Sequence, residues 1–308
     1  MLFRIVMLLS ALLLANPLQA TMEFQRIEGE TSTEFIYQRP PLPTLSFMLN
    51  NQQMRGQHSS KKKYSAELAE LHVRHQLLLN SVKLQQRGVK IRLSPNNLPL
   101  TVTVSGGDLH QVAAIRDKLA ATQQQAYQSY LQRDYLYLLT TNLGESYVIP
   151  DHVRVMREHL ALLQPVAASF ISLYGRNNIR KISAQIAQWL QQIPYQDLSD
   201  RRESAGAGYL TPVQMLMANQ GDCDSKAVVF AAVLRNIFPK LGIAIIYFND
   251  HAVIAAQIPA LDDELTVQLN NMSYLLLDPT GPAAMPLGKL NPPYDVQLQS
   301  RQFSYRLF

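Results

Sequence analysis

One cysteine, Cys223, stands in 308 residues, so no disulfide can form within the chain and whatever fold it adopts must be held by its core. The residue opens an apolar run. Asp222 has the right chemistry for an N-cap, and Val228, Val229, Phe230, Ala231, Val233, Leu234 and Ile237 give the following helix an unusually broad apolar surface. Such a helix is expected to be buried, with its N-terminus and Cys223 opening on a cleft. A composition of 47% apolar and 17% charged residues supplies enough material for that core.

Downstream lie two further polar residues in strand-like surroundings. Ile243 to Phe248 leads through Asn249-Asp250 into His251-Ala252-Val253-Ile254, which reads as a hairpin able to pack on the cysteine helix. Leu275-Leu276-Leu277 ends at Asp278-Pro279-Thr280-Gly281. A thiolate is favoured at a helix N-terminus, and an imidazole can form an ion pair with it. A carboxylate can then hold the second imidazole nitrogen. Cys223, His251 and Asp278 are therefore the candidate catalytic residues. Asp222 and Asp224 oppose the scheme, because flanking carboxylates raise a thiol pKa.

The pieces Tyr209-Leu210-Thr211-Pro212, Gly221-Asp222-Cys223-Asp224-Ser225-Lys226-Ala227, Asp250-His251-Ala252 and Leu277-Asp278-Pro279-Thr280 resemble the transglutaminase-like branch of the papain-like cysteine enzymes. The resemblance covers roughly residues 150–285. It implies an α+β fold with a papain/transglutaminase-like core, in which the cysteine helix packs on an antiparallel sheet carrying His251 and Asp278. It also implies thiol chemistry through an acyl-enzyme. Papain-like enzymes place an oxyanion-hole glutamine six residues ahead of the cysteine, where this chain has Met217. Gln214, Gln220 and Tyr209 are the candidate substitutes.

The rest of the chain divides by composition. Residues 1–20 have a short basic leader, an apolar stretch from Ile5 to Ala15 and a small residue at Ala20, the pattern of a cleaved secretory signal and hence of a periplasmic protein. Residues 21–63, with Arg39-Pro40-Pro41-Leu42-Pro43 and a closing lysine run, are expected to be an extended, flexible segment. Residues 64–145 form an N-terminal α/β region, with a helix inferred from Leu68, Leu71, His72, His75, Leu78, Leu79 and Val82, two short strands and a second helix from Leu109 to about Arg133. Residues 146–308 make the cysteine-enzyme domain, with a polar loop at 196–210 beside the cleft.

A net charge of +5 is mild, and no nucleic-acid motif accompanies it. His72 and His75 lack a third ligand at a recognisable spacing, so neither a metal nor another cofactor is expected. A calcium-dependent variant would draw on Asp222, Asp224, Asp197 and Asp200, which lack calcium-loop spacing. The expected partner is a peptide or protein substrate. Three readings follow: a cysteine peptidase or amidase, an acyltransferase making cross-links at protein glutamine, and a non-catalytic binding module that keeps the fold.

Overall fold

A computed structural model describes residues 22–57, 63–94, 100–141, 144–198 and 208–308. The signal expected over 1–20 and the middle of the polar loop, 199–207, lie outside the described residues, as do Lys61 and Lys62.

The chain begins with β1 (Glu23–Glu28), β2 (Ser32–Gln38) and β3 (Leu45–Asn50), an antiparallel sheet in that order, followed by α1 (Asn51–Gln57). In β2, Thr33, Phe35 and Tyr37 are buried in strict alternation, and β3 answers with Leu45, Phe47 and Leu49. Tyr37 and Phe47 meet the edge of Trp189 with ring centroids 5.4 and 6.1 Å apart. For the described residues 22–57, the expectation of an extended, flexible segment over 21–63 is therefore corrected. The proline-rich stretch is only the β2–β3 connection, and the period-two burial of the flanking residues is what fixes the sheet.

Next come α2 (Ala66–Leu84), β4 (Val89–Leu93), β5 (Val102–Gly106) and α3 (Leu109–Arg133), with β4 and β5 antiparallel. Val73, Leu77, Val89, Val104, Val112, Ile115 and Leu119 give this unit a core of its own. The apolar spacing identified α2 but not its inward face. Leu68, Leu71, Leu78, Leu79 and Val82 are exposed, whereas Ala69, Val73 and Leu77 are buried. The helix carries two apolar rows, and only contacts remote in sequence decide which is covered.

The antiparallel hairpin of β6 (Leu136–Thr140) and β7 (Ser146–Pro150) follows, so the boundary expected at 145/146 falls inside a paired element. Leu139 belongs to the same core as Phe35, Leu49 and the later helices. Residues 66–133 thus interrupt a body built from both ends of the chain.

That body is completed by α4 (His152–His159), α5 (Gln164–Tyr174), α6 (Ile179–Gln192), α7 (Pro212–Ala218), α8 (Cys223–Ile237), β8 (Ile243–Tyr247), β9 (Ala252–Ala256), β10 (Thr266–Leu269), β11 (Met272–Leu277), α9 (Pro292–Gln299) and β12 (Ser304–Leu307). The last five strands form one antiparallel sheet in the order β10-β11-β9-β8-β12. Every α8 residue from Ser225 to Leu234 is buried, as expected of a helix apolar all round. It packs against α4, α5, α6, α7 and the sheet.

Strand alternation divides the sheet between two cores. Ile243, Ile245, Ile254, Leu275 and Leu277 join the helical core, and Ile246, Phe248, Val253 and Leu276 join a second one with Tyr294 and Leu298 of α9. Covering both faces explains why β8 and β9 are apolar throughout. The architecture is mixed α+β, with an antiparallel sheet against a buried central helix.

Phe35→Ala is expected to destabilise the protein by about 3–5 kcal/mol in urea unfolding, as for other fully buried aromatics. A loss under about 1 kcal/mol, the range of surface positions, would make the N-terminal sheet an appendage rather than part of the core.

Candidate active site

Three local devices bring Cys223 to its place. Thr211 caps α7 in a reciprocal capping box: its Oγ1 accepts from Gln214 N–H, and Gln214 Oε1 accepts from Thr211 N–H at 2.9 Å. The chain then turns at Gly221, where a Cβ would lie 2.8 Å from Met215 Cγ. Gly221 N–H donates to Pro194 O, and its carbonyl accepts from Gln196 N–H, both at 3.2 Å, which anchors the turn on the segment after α6. Asp222 caps α8, with Oδ1 accepting from Ser225 N–H at 2.9 Å, and Cys223 becomes the first residue of the helix.

One turn further along, Lys226 is fully buried. Its Nζ donates to Ile193 O at 2.6 Å and to Thr280 O, tying α8 to the end of α6 and to the turn after β11. Burial lowers its pKa to about 8, although Asp278, Asp222 and Cys223 pull the other way. Gln191 adds a second tie from α6: its Nε2 donates to Asp278 O at 2.7 Å and to Met285 O at 2.9 Å. Gly281, with φ 67°, lies so close to this helix that a Cβ would sit 2.0 Å from Gln191 O.

The turn so held presents Asp278. Its Oδ2 lies 2.8 Å from His251 Nε2, and its Oδ1 accepts from Thr280 N–H at 2.9 Å. Burial pushes this carboxyl up, but the His251 and Thr280 hydrogen bonds outweigh that effect and hold it below its ordinary value. His251 precedes β9, where its carbonyl accepts from Phe248 N–H at 2.8 Å. Its ring stacks on Tyr294 of α9, with centroids 4.5 Å apart and planes at 23°, and Tyr294 in turn bonds the Asp250 carboxylate. Imidazole orientation is thus fixed by a carboxylate at one edge and an aromatic face below.

Cys223 and His251 line one cavity of about 700 Å³, with Asp224, Tyr247 and Phe248 nearby and Leu139, Tyr147 and Ile149 of the β6–β7 hairpin on its wall. The thiol donates to Asp224 Oδ1 at 3.4 Å, and Ala252 N–H is directed at the sulfur. Burial raises the thiol pKa well above its ordinary value, and Asp224 and Asp222 raise it further. The magnitudes explain the outcome. A helix N-terminus favours an anion by about 0.3–2 kcal/mol, whereas two like charges 4 Å apart repel by about 4 kcal/mol at an effective dielectric near 20. Burial and the two neighbouring carboxyls thus favour the thiol over the thiolate.

Behind Asp224 lies a residue with no distinguishing local pattern. His152, fully buried, has Nδ1 2.8 Å from Tyr247 Oη and Nε2 3.4 Å from Asp224 Oδ2, too poorly aligned for a hydrogen bond. Burial lowers its pKa to about 3, with Arg306 adding to the effect. Burial likewise raises the Asp224 carboxyl, and Asp222 raises it further.

The three candidate oxyanion residues are not brought to the cavity. Gln214 spends its side-chain oxygen on the α7 cap, Gln220 is half-buried, and Tyr209 is buried with its ring against His152 at 5.0 Å. None of them lines the cavity, a correction whose cause is that local capping claims Gln214 and packing claims Tyr209. The main-chain N–H of Cys223, in the first helical turn, is a donor beside the sulfur in addition to that of Ala252. His72 Nε2 lies 3.0 Å from Ser129 Oγ, away from this site. Among the described residues no three His, Cys, Asp or Glu side chains gather to hold a metal ion, and Asp200 lies outside them. No helix of the described residues is long and apolar enough to cross a membrane. No family model, curated protein or solved structure matches the chain.

The buried neutral His152 makes stability depend on pH. Its folded pKa lies below the ordinary 6.5, so its contribution is complete above pH 6.5 and is lost as pH falls toward 3, where the unfolded chain binds the proton first. His152→Phe should lose less stability than the wild type between pH 7 and pH 4 in urea unfolding. Equal losses would contradict the assignment.

Proposed function

We propose that the protein is an exported thiol hydrolase, a cysteine peptidase or amidase acting through an acyl-enzyme on a papain/transglutaminase-like core. The observation that carries the reading is the 2.8 Å His251–Asp278 contact beside a cavity that also holds Cys223 at the head of the central helix. Because Asp278 occupies Nε2, Nδ1 is the nitrogen left for proton transfer.

In this reading the thiol proton passes to His251 Nδ1 and the sulfur attacks the carbonyl carbon. The resulting oxyanion is met by the Cys223 N–H. As the C–N bond breaks, the imidazolium returns its proton to the departing amine, leaving a thioester. Water then gives a proton to Nδ1 and adds to the thioester carbonyl. The C–S bond breaks, the acid is released and the proton returns to sulfur. Asp278 keeps the His251 tautomer and stabilises the imidazolium. Leu139, Ile149 and Phe248 on the cavity wall suit a peptide with apolar side chains beside the scissile bond.

Transfer of the acyl group to an amine, cross-linking proteins at glutamine, uses the same thioester with a different acceptor. The binding-module reading draws support from the raised thiol pKa and from the absence of the three proposed oxyanion side chains from the cavity wall. Export rests on the leader-like residues 1–20.

With an activated ester or anilide as substrate, Cys223→Ala and His251→Ala should each lower kcat/KM at least about 10³-fold, and Asp278→Asn by about 10²–10⁴-fold. A rate unaffected by loss of Cys223 would remove the thiol mechanism. Failure of the wild type to turn over any acyl substrate would leave the binding module.

A further inference from the structure

The reaction proposed above uses Cys223, His251 and Asp278, and leaves Asp224 and His152 without a part. Yet Asp224 puts Oδ1 3.4 Å from the sulfur, while Oδ2 faces a fully buried imidazole nitrogen with no hydrogen bond of its own. Leaving a buried polar atom unpaired is unfavourable, so a histidine kept at such a position calls for an explanation in its surroundings. The other His152 nitrogen meets Tyr247 Oη at 2.8 Å, which sets the ring with Nε2 toward the carboxyl. With the proton on Nε2, Tyr247 O–H donates to Nδ1 and Nε2–H lies on the side of Asp224, 3.4 Å from Oδ2 without hydrogen-bond geometry, so the positive edge of the ring lies beside the carboxyl that meets the thiol.

We propose that Asp224, backed by His152 and Tyr247, is a lock that keeps Cys223 a protonated thiol in the resting protein. The lock makes the sulfur a poor nucleophile and a poor target for oxidants, and it sets the barrier His251 must overcome to ionise it. Other charged or titratable groups also face the sulfur. On α8 itself these are Asp222, which commits an oxygen to Ser225 N–H, and Lys226. From other elements they are Tyr195 after α6, Tyr294 of α9 and His251. Asp224 in turn is faced by His152, His251, Tyr209 and Tyr247. The carboxyl that accepts the thiol's hydrogen bond is the one whose removal should free the sulfur. The meaning of the lock for turnover rests on Cys223 being the nucleophile, whereas its effect on the thiol does not.

The test is the rate of Cys223 alkylation by iodoacetamide, followed against pH on the full chain. The wild-type midpoint should lie above the ordinary thiol value of about 8.5. In Asp224→Asn it should fall by at least about one pH unit, which is about a tenfold rise in rate at pH 7. His152→Phe should move it the same way by less, and Asp222→Asn by less than Asp224→Asn. Hydrogen peroxide should oxidise Asp224→Asn faster than the wild type. A wild-type midpoint below 8.5 overturns the proposal, and this measurement needs no variant to fold. So does an unmoved midpoint in a folded Asp224→Asn, or a shift in Asp222→Asn as large as in Asp224→Asn. Alkylation requires no turnover, so the lock can fail with hydrolysis intact, and hydrolysis can be absent with the lock intact.

Discussion

The buried ammonium of Lys226 joins the three pieces on which the candidate site depends: the helix that carries Cys223, the end of α6 and the turn that presents Asp278. A charge removed from water is tolerated only when its hydrogen bonds are satisfied. Lys226 meets that condition by taking main-chain carbonyls from segments far apart in sequence, so it fixes where those segments stop. Gln191 repeats the arrangement with neutral chemistry one element away, and Gly281 permits the close approach that both require.

Around this clamp the fold is a consequence of one helix too apolar to be exposed. Burying α8 on all sides takes four helices and one face of the sheet, and an apolar sheet needs a cover on its other face as well. That cover is α9, which also supplies the Tyr294 ring under His251. The same element thus closes the second core and fixes the imidazole. The β6–β7 hairpin, which leads out of the interrupting unit at 66–133, forms one wall of the cavity.

The central helix, the hairpin that carries His251 and the turn at Asp278 were legible in the sequence because each is a short-range pattern: a cap before an apolar run, two apolar strands about a polar turn, and Asp-Pro-Thr-Gly after a third. What escaped reading depends on contacts distant in sequence. Phe35, Tyr37 and Phe47 reveal themselves as core only once Trp189 is beside them. The α2 residues picked out by spacing, Leu68, Leu71, Leu78, Leu79 and Val82, are exposed, and contact with α3 buries Ala69, Val73 and Leu77 instead. Gln214 looked available until the reciprocal bond with Thr211 claimed it. His152 carries no local signature, and Lys226 almost none, since their surroundings come from Asp224, Ile193 and Thr280 across the core. A lysine inside an otherwise apolar helical run was the one available hint.

Opposed electrostatics define the site as a whole. The helix terminus and the Ala252 N–H favour a thiolate, while burial, Asp224 and Asp222 favour the thiol and prevail at rest. In the proposed mechanism His251 removes the proton, and its fixed orientation suits it to that role. The most direct test is mass spectrometry of the protein quenched in acid during exposure to an activated acyl ester. An acyl adduct on the peptide containing Cys223, present at neutral pH and decaying as ester is exhausted, is the predicted result. Adducts confined to lysines, or none on that peptide, would contradict the account.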